Sequence, residues 1–246
     1  MGGDHMAAST KPGTNPKSRL VIGFDADDTL WQNEIFYRRA GEQLKELMSG
    51  HADPARVETV LAETEIGNVR WYGYGIKSFT LSMLETATAL SDGKISAEVV
   101  RSIFQIGRDM LAADVLVFDD ARPTLNRLAE HHDLLLITKG DLLEQDSKIR
   151  RSGLADFFRH TDIVLEKSPQ AYQALLERHD LSPDHFLMVG NSLKSDILPV
   201  LQIGARAVYI ASEHTWIHER VDAAGHTFFE LERLAQLPEL VATLDA

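Results

Sequence analysis

Cysteine is absent from this 246-residue chain, which excludes thiol nucleophiles, Cys-ligated zinc and disulfides together and fits a reducing, cytoplasmic setting. Long apolar runs are missing too. Nothing approaches the roughly 18 residues of a membrane span, and the N-terminus has no apolar signal core, so a soluble, unexported protein without a membrane partner is expected. Positive charge is in short supply. Lys and Arg number 25 against 37 Asp and Glu, a net charge of −12, and such a field repels nucleic-acid phosphates. Against these absences, the 44% hydrophobic and 25% charged residues are globular proportions that leave no room for wholesale disorder or a fibrous rod. The length corresponds to between one and two domains. Nothing in the sequence sets an oligomeric state.

Residues 1–18 are rich in Gly, Pro, Ser and Lys without periodicity and are expected to form a mobile tail. Order begins at Arg19-Leu-Val-Ile-Gly-Phe24, a run apolar on both faces that suits a central parallel strand. From about Asn33 to Leu111 apolar residues recur at helical spacing, among them Leu44, Met48, Val57, Leu61, Phe79, Met83, Ile103 and Phe104, with no convincing strand. Strand and helix patterns then alternate. Strands are expected at Leu134–Thr138, Asp162–Leu165, Phe186–Gly190, Ala207–Ile210 and Thr227–Glu230, with helices at Leu142–Arg151, Pro169–His179 and Lys194–Ile203 and a last helical region containing Leu234 and Leu244. Repeated βα units imply an α/β fold with a doubly wound parallel sheet. The core is expected over 19–33 and 118–246, with an all-helical block, 34–117, inserted after the first strand. Such a block lies beside the carboxyl ends of the strands, where open α/β sheets bind ligands.

Just past the first strand, Asp25-Ala-Asp-Asp-Thr29 puts three carboxylates in four positions. That crowding repels itself unless a cation relieves it, which is the signature of a hard oxygen-donor metal site. A helix N-terminus capped by Asp is the plainer alternative. Farther along stand the apolar strand ending in Thr138, Lys167 followed by Ser-Pro-Gln, and Val189-Gly-Asn-Ser-Leu-Lys-Ser-Asp196. Together, in this order and over about residues 20 to 245, these four segments resemble the motifs of the haloacid dehalogenase superfamily of aspartate-nucleophile phosphotransferases.

The resemblance implies a Mg²⁺-dependent phosphatase acting on a small phosphorylated metabolite through an aspartyl-phosphate. Asp25 would be the nucleophile and Asp27 the acid and base. Thr138 would donate to a phosphoryl oxygen, and Lys167 would offset the charge of phosphate and Asp25. A lysine before a helix is most often merely solvated, and Lys139 and Lys148 are its first rivals. Mg²⁺ would be held by Asp25, the main-chain carbonyl of Asp27, Asn191 and Asp196. Asn191 departs from the commoner family pattern, in which Asp follows the glycine, so this position brings an oxygen without a charge. Ser192 and Ser195 either cap the next helix or orient Asp196 and Lys167.

Family members that remove halide generally carry an aromatic residue where Asp27 stands, which disfavours 2-haloacid dehalogenation. A phosphomutase of the same fold shares this Asp and is an alternative, as is a non-catalytic binding protein. For substrate binding the candidates are Lys139 and, in the helical block, Arg70, Tyr74 and Lys77, because Val69–Lys77 combines two bend-permitting glycines with aromatics and cations. A tight turn packed by those aromatics explains the same composition equally well. His131 and His132 read as a helix end. His214 and His218 have the four-residue spacing of a zinc pair but no third ligand, and surface histidines are the favoured interpretation.

Overall fold

A computed structural model describes residues 20–211, 223 and 225–244. The 1–18 tail and His214 with His218 lie outside them. Strand β1 (Val21–Phe24) is followed by β2 (Trp31–Gln32), then helices α1 (Glu34–Leu47), α2 (Pro54–Tyr72), α3 (Ile76–Leu90) and α4 (Ala97–Ala112), then β3 (Leu116–Val117). Next come α5 (Ala121–Ala129), β4 (Asp133–Lys139), α6 (Leu142–Ser152), β5 (His160–Val164), α7 (Pro169–Arg178) and β6 (Phe186–Gly190). The chain continues through α8 (Leu198–Gln202), β7 (Arg206–Ile210), β8 (Phe229–Leu231) and α9 (Leu237–Leu244).

Six strands form one parallel sheet in the order β5-β4-β1-β6-β7-β8. The fold is thus a doubly wound α/β sheet with an inserted helical cap. Strand β1 is central because both of its faces are apolar. Leu20, Ile22 and Phe24 join the cluster under α5 and α9, while Val21 joins Tyr172, Leu175, Phe186 and Met188 on the opposite side. Gly23 shares the Val21 face, where an added Cβ would lie 2.6 Å from the Phe186 ring. Since β1 sits between β4 and β6, the chain reverses its winding direction there, and ligand sites form at the carboxyl ends of such strands.

The helical insertion has its own core of Leu44, Met48, Val57, Phe79, Met83 and Ile103. Two of its helices begin at capping side chains: Asp53 accepts the Arg56 amide at 3.0 Å ahead of Pro54 in α2, and Ser96 accepts the Val99 amide at 3.2 Å in α4. One expectation fails here. Leu116–Val117 belongs to a strand, pairing antiparallel with Trp31–Gln32 as the chain leaves and re-enters the core. Two residues per strand are too few for an alternating pattern to be visible. A second difference concerns Lys194–Ile203, which is a turn of π-helix at Leu193–Ile197 running into the short α8, where Pro199 sits in the first turn. No helix of the described residues is long and apolar enough to cross a membrane.

Candidate active site

Parallel strands deliver their C-terminal residues to one edge, and there the sequence candidates meet. Asp25 follows β1, held by its amide bonding to the Val189 carbonyl at 2.9 Å. Lys167, beyond β5, reaches across the sheet edge and is 4% exposed. Its Nζ lies 2.5 Å from Asp25 Oδ1 and 2.6 Å from Asp196 Oδ1. Burial works against a charged lysine, but the carboxylates of Asp196 and Asp25 hold its pKa well above the usual range. Two buried carboxylates therefore share one ammonium. The trio carries a net negative charge, and burial pushes the Asp25 carboxyl up to about 7 against the pull of Lys167.

Thr29 Oγ1 stands between Asp25 Oδ2, at 3.0 Å, and the Asn191 side-chain oxygen, at 3.1 Å. Asp196 folds back so that its Oδ2 accepts the Ser192 amide at 3.0 Å. Gly190 permits this approach, because a Cβ there would collide with the Asp196 carboxylate. Ser192 accepts the Ser195 amide at 2.9 Å and so caps the π-turn. Thr138 is buried at the end of β4, and its hydroxyl has no hydrogen-bond partner among the described residues. A native buried hydroxyl without a partner calls for a ligand or water.

Asp27 is gripped from three directions. Its carboxylate accepts from Trp31 Nε1 at 2.7 Å, Gln145 Nε2 at 2.8 Å, and Lys148 Nζ at 2.7 and 2.8 Å. Lys148 thus serves Asp27 and is no rival to Lys167. Asp28 has a left-handed φ of 59°, and its carboxylate accepts the Asn33 and Glu34 amides at the start of α1. The three-carboxylate cluster therefore combines both interpretations of its sequence: Asp28 caps a helix while Asp25 faces the cavity. Burial pushes the Asp28 carboxyl up to about 6.

Asp25, Asp27, Thr138, Lys139, Lys167, Asn191 and Asp196 all line one cavity, roofed by the helical insertion. Of the substrate-binding candidates in the insertion, only Tyr74 joins them. Its hydroxyl donates to Glu166 at 2.7 Å, and Lys139 Nζ lies 4.2 Å from its ring centroid. Arg70 turns away, stacking on exposed Trp71 with its guanidinium carbon 5.0 Å from the ring. Lys77 pairs with Asp141 at 2.7 Å and lines a different cavity, beside Leu143 and Arg151. The bend is present, with Gly73 at φ 70° and Gly75 at φ 107°, but it disperses these side chains instead of gathering them. Next to Gly75, the Ile76 amide donates to Glu144 at 2.8 Å and closes the roof onto α6.

Sequence reasoning missed the roof's true lining, which includes Tyr37, Glu65, Ser78 and Phe79. Helical geometry separates Arg70 from Glu65 by about 140° around α2, so only one of the two can face the cavity. Burial alone pushes the Glu65 carboxyl from 4.5 up to about 7. The folded protein therefore holds this proton more tightly than the unfolded chain, and stability falls as pH rises through that window. Tyr37, on α1, is the titratable group whose field Glu65 shares, and its phenol stays protonated there. Glu65→Gln removes the loss, so denaturant melts should show the variant gaining on the wild type between pH 5 and 8, by up to about 3 kcal/mol. A pH-independent difference would contradict this.

His132 is buried against the Leu20 carbonyl at 3.2 Å and His131 is exposed, as suits a helix end. Among the described residues no three carboxylate or imidazole groups converge as a metal cluster. The oxygen donors at the sheet edge are instead the carboxylates of Asp25 and Asp196 and the amide of Asn191, all hard donors of the type divalent cations take.

A family model for haloacid dehalogenase-like hydrolases matches residues 20–204. The chain belongs to the haloacid dehalogenase-like hydrolases. It is accordingly a hydrolase. A haloacid dehalogenase-like family hydrolase from Xanthomonas campestris superposes with a TM-score of 0.84 at 36% identity, covering 95% of each chain. A glyceraldehyde 3-phosphate phosphatase of Pyrococcus furiosus is 28% identical over 200 residues, 77% of this chain and 79% of its own. The 5-amino-6-(5-phospho-D-ribitylamino)uracil phosphatase of Escherichia coli is 25% identical over 92% of this chain and 98% of its own. Within this haloacid dehalogenase-like chain, the matched region contains every core residue of the cavity described above and the whole helical insertion.

Proposed function

We propose that the protein is a Mg²⁺-dependent phosphatase of small phosphomonoesters, acting through an aspartyl-phosphate on Asp25 under a helical cap. The observation that carries it is the unpartnered Thr138 hydroxyl in the same cavity as Asp25 and Lys167: a nucleophile, an ammonium and an idle donor converge where a phosphoryl group would sit. The phosphatase names of the relatives from P. furiosus and E. coli support the same reaction.

In the first half-reaction an Asp25 carboxylate oxygen attacks phosphorus and the bond to the leaving oxygen breaks. Asp27, carrying a proton, gives it to that oxygen. In the second, water attacks phosphorus, Asp27 takes its proton, and the Asp25–phosphorus bond breaks to release phosphate. Trp31, Gln145 and Lys148 fix the direction of the Asp27 carboxylate between these transfers. Thr138 donates to a phosphoryl oxygen and Lys167 offsets its charge. Mg²⁺ would be held by Asp25, Asp196, the Asp27 carbonyl and the Asn191 amide oxygen, and when bound it supplies the positive charge that a phosphate dianion needs beside two carboxylates. Halide needs no proton on departure, so a dehalogenase would have no use for the firmly held carboxylate of Asp27.

Hydrolysis of an aryl phosphate should stop in a chelator and return with Mg²⁺. Asp196→Asn should raise the Mg²⁺ needed for half-activity by roughly tenfold or more, and Asn191→Ala should raise it less, since only the first change removes a charge. The opposite order would make Asn191 the principal ligand and leave Asp196 to orient Lys167. Activity indifferent to the chelator would overturn the metal dependence.

A further inference from the structure

The phosphate side of the cavity and its roof differ in charge. Its ammonium groups, Lys139 and Lys167, both come from the sheet edge. Lys167 is committed to Asp25 and Asp196, and Lys139 lies over Tyr74, 3.1 Å from Ser195 Oγ and 3.5 Å from Glu166. The described roof offers no cation at all. It contributes Glu34, Tyr37, Glu65, Val69, Ser78 and Phe79 to the lining of the cavity that a leaving group would enter.

Glu65 is the unexplained member of this set. It sits on α2, where Val57, Leu61 and Asn68 are the buried residues, and it makes no hydrogen bond or ion pair among the described residues. A half-buried carboxyl without a partner is costly in a fold unless something outside the chain satisfies it. Tyr37 reinforces the point: its half-buried phenol lies in the field of Glu144, Asp27, Glu65 and Glu34. An anionic leaving group would meet carboxylates here and find no lysine to receive it.

Resting on the phosphatase reading, we propose that Glu65 determines specificity by accepting a hydroxyl or amino hydrogen of the leaving alcohol. The substrate class is then a phosphomonoester whose leaving group is a neutral polyol or an amino alcohol, and not one bearing a carboxylate or second phosphate. Unpaired polar groups in a site discriminate more strongly than missing apolar contacts do, because the wrong substrate leaves them buried and unsatisfied.

The test uses matched esters: glycerol 3-phosphate against 3-phosphoglycerate, and sorbitol 6-phosphate against 6-phosphogluconate, each pair differing by a hydroxymethyl or carboxylate end. The readout is the kcat/KM ratio within each pair for the wild type, Glu65→Gln and Glu65→Lys, so a partial loss of folded enzyme cancels. The wild type should favour the polyol member by at least about tenfold. Glu65→Gln should narrow that ratio, and Glu65→Lys should reverse it. Equal ratios in all three proteins, a wild-type preference for the carboxylate member, or turnover of an aryl phosphate with none of either polyol ester overturns the proposal and leaves the phosphatase reading standing. Failure of the wild type on every phosphomonoester, aryl phosphate included, overturns both.

Discussion

Asp25→Asn should lower phosphomonoester hydrolysis by about 10⁴-fold or more while the protein stays folded. An amide has the shape of the carboxylate and can still accept from Lys167 and stand beside Thr29, whose distances to Asp25 are 2.5 and 3.0 Å. What it lacks is an anionic oxygen able to form a bond to phosphorus. The packing around the position argues for survival of the fold: Phe24 before it and Ala26 after it are fully buried, and neither depends on the charge. Steady-state rates with a coincident thermal melt check both halves. Activity within tenfold of the wild type would remove Asp25 from the mechanism.

Lys167→Met should be the variant that damages stability and turnover together. Removing the ammonium leaves Asp25 and Asp196 buried without their shared cation, and breaking a buried pair from one side costs about 3–5 kcal/mol. In a chain of this size that is a fall in melting temperature of roughly 10 °C. Turnover should fall by about 10²–10³-fold, the usual loss for one charge-stabilising donor. The stability deficit should shrink as pH is lowered, because the folded variant then takes up a proton on one carboxylate and loses the repulsion. Lys167→Arg should not restore activity, since the planar fork is larger than the site, where the lysine side chain is 2% exposed. A full-strength melt in Lys167→Met would show that the two carboxylates do not depend on this lysine.

The parts of the fold legible in the sequence are those set by local chemistry. Strands β1, β4 and β6 are apolar on both faces and so read as buried parallel strands, and the starts of α2, α4, α6 and α7 carry Asp or Ser caps whose bonds are present. The β2–β3 ribbon was not legible, because its pairing joins residues far apart in sequence with two residues on each side. Nor was the π-turn, which serves to bring Asp196 against Gly190.

The site divides along the same line. Asp25, Lys167, Asn191 and Asp196 follow strand ends and Thr138 sits at the end of β4, and a parallel sheet gathers strand ends regardless of their separation in the chain. Gln145, Lys148 and Glu65 are brought in by helix orientation, which composition does not encode. Arg70 and Lys77 drew attention as cations beside glycines, yet each found a nearer partner, Trp71 and Asp141. Glu65 lay in an ordinary polar stretch, and only the buried face of α2 distinguishes it from a solvated glutamate.

The most direct test of the mechanism is acid quenching during turnover, followed by mass analysis of the peptide containing Asp25. Acyl phosphates survive brief acid, so the account predicts one phosphoryl group on Asp25 in the wild type and none in Asp25→Asn. Phosphate release with no phosphorylated peptide at any quench time, or a phosphoryl group on another residue, would contradict it.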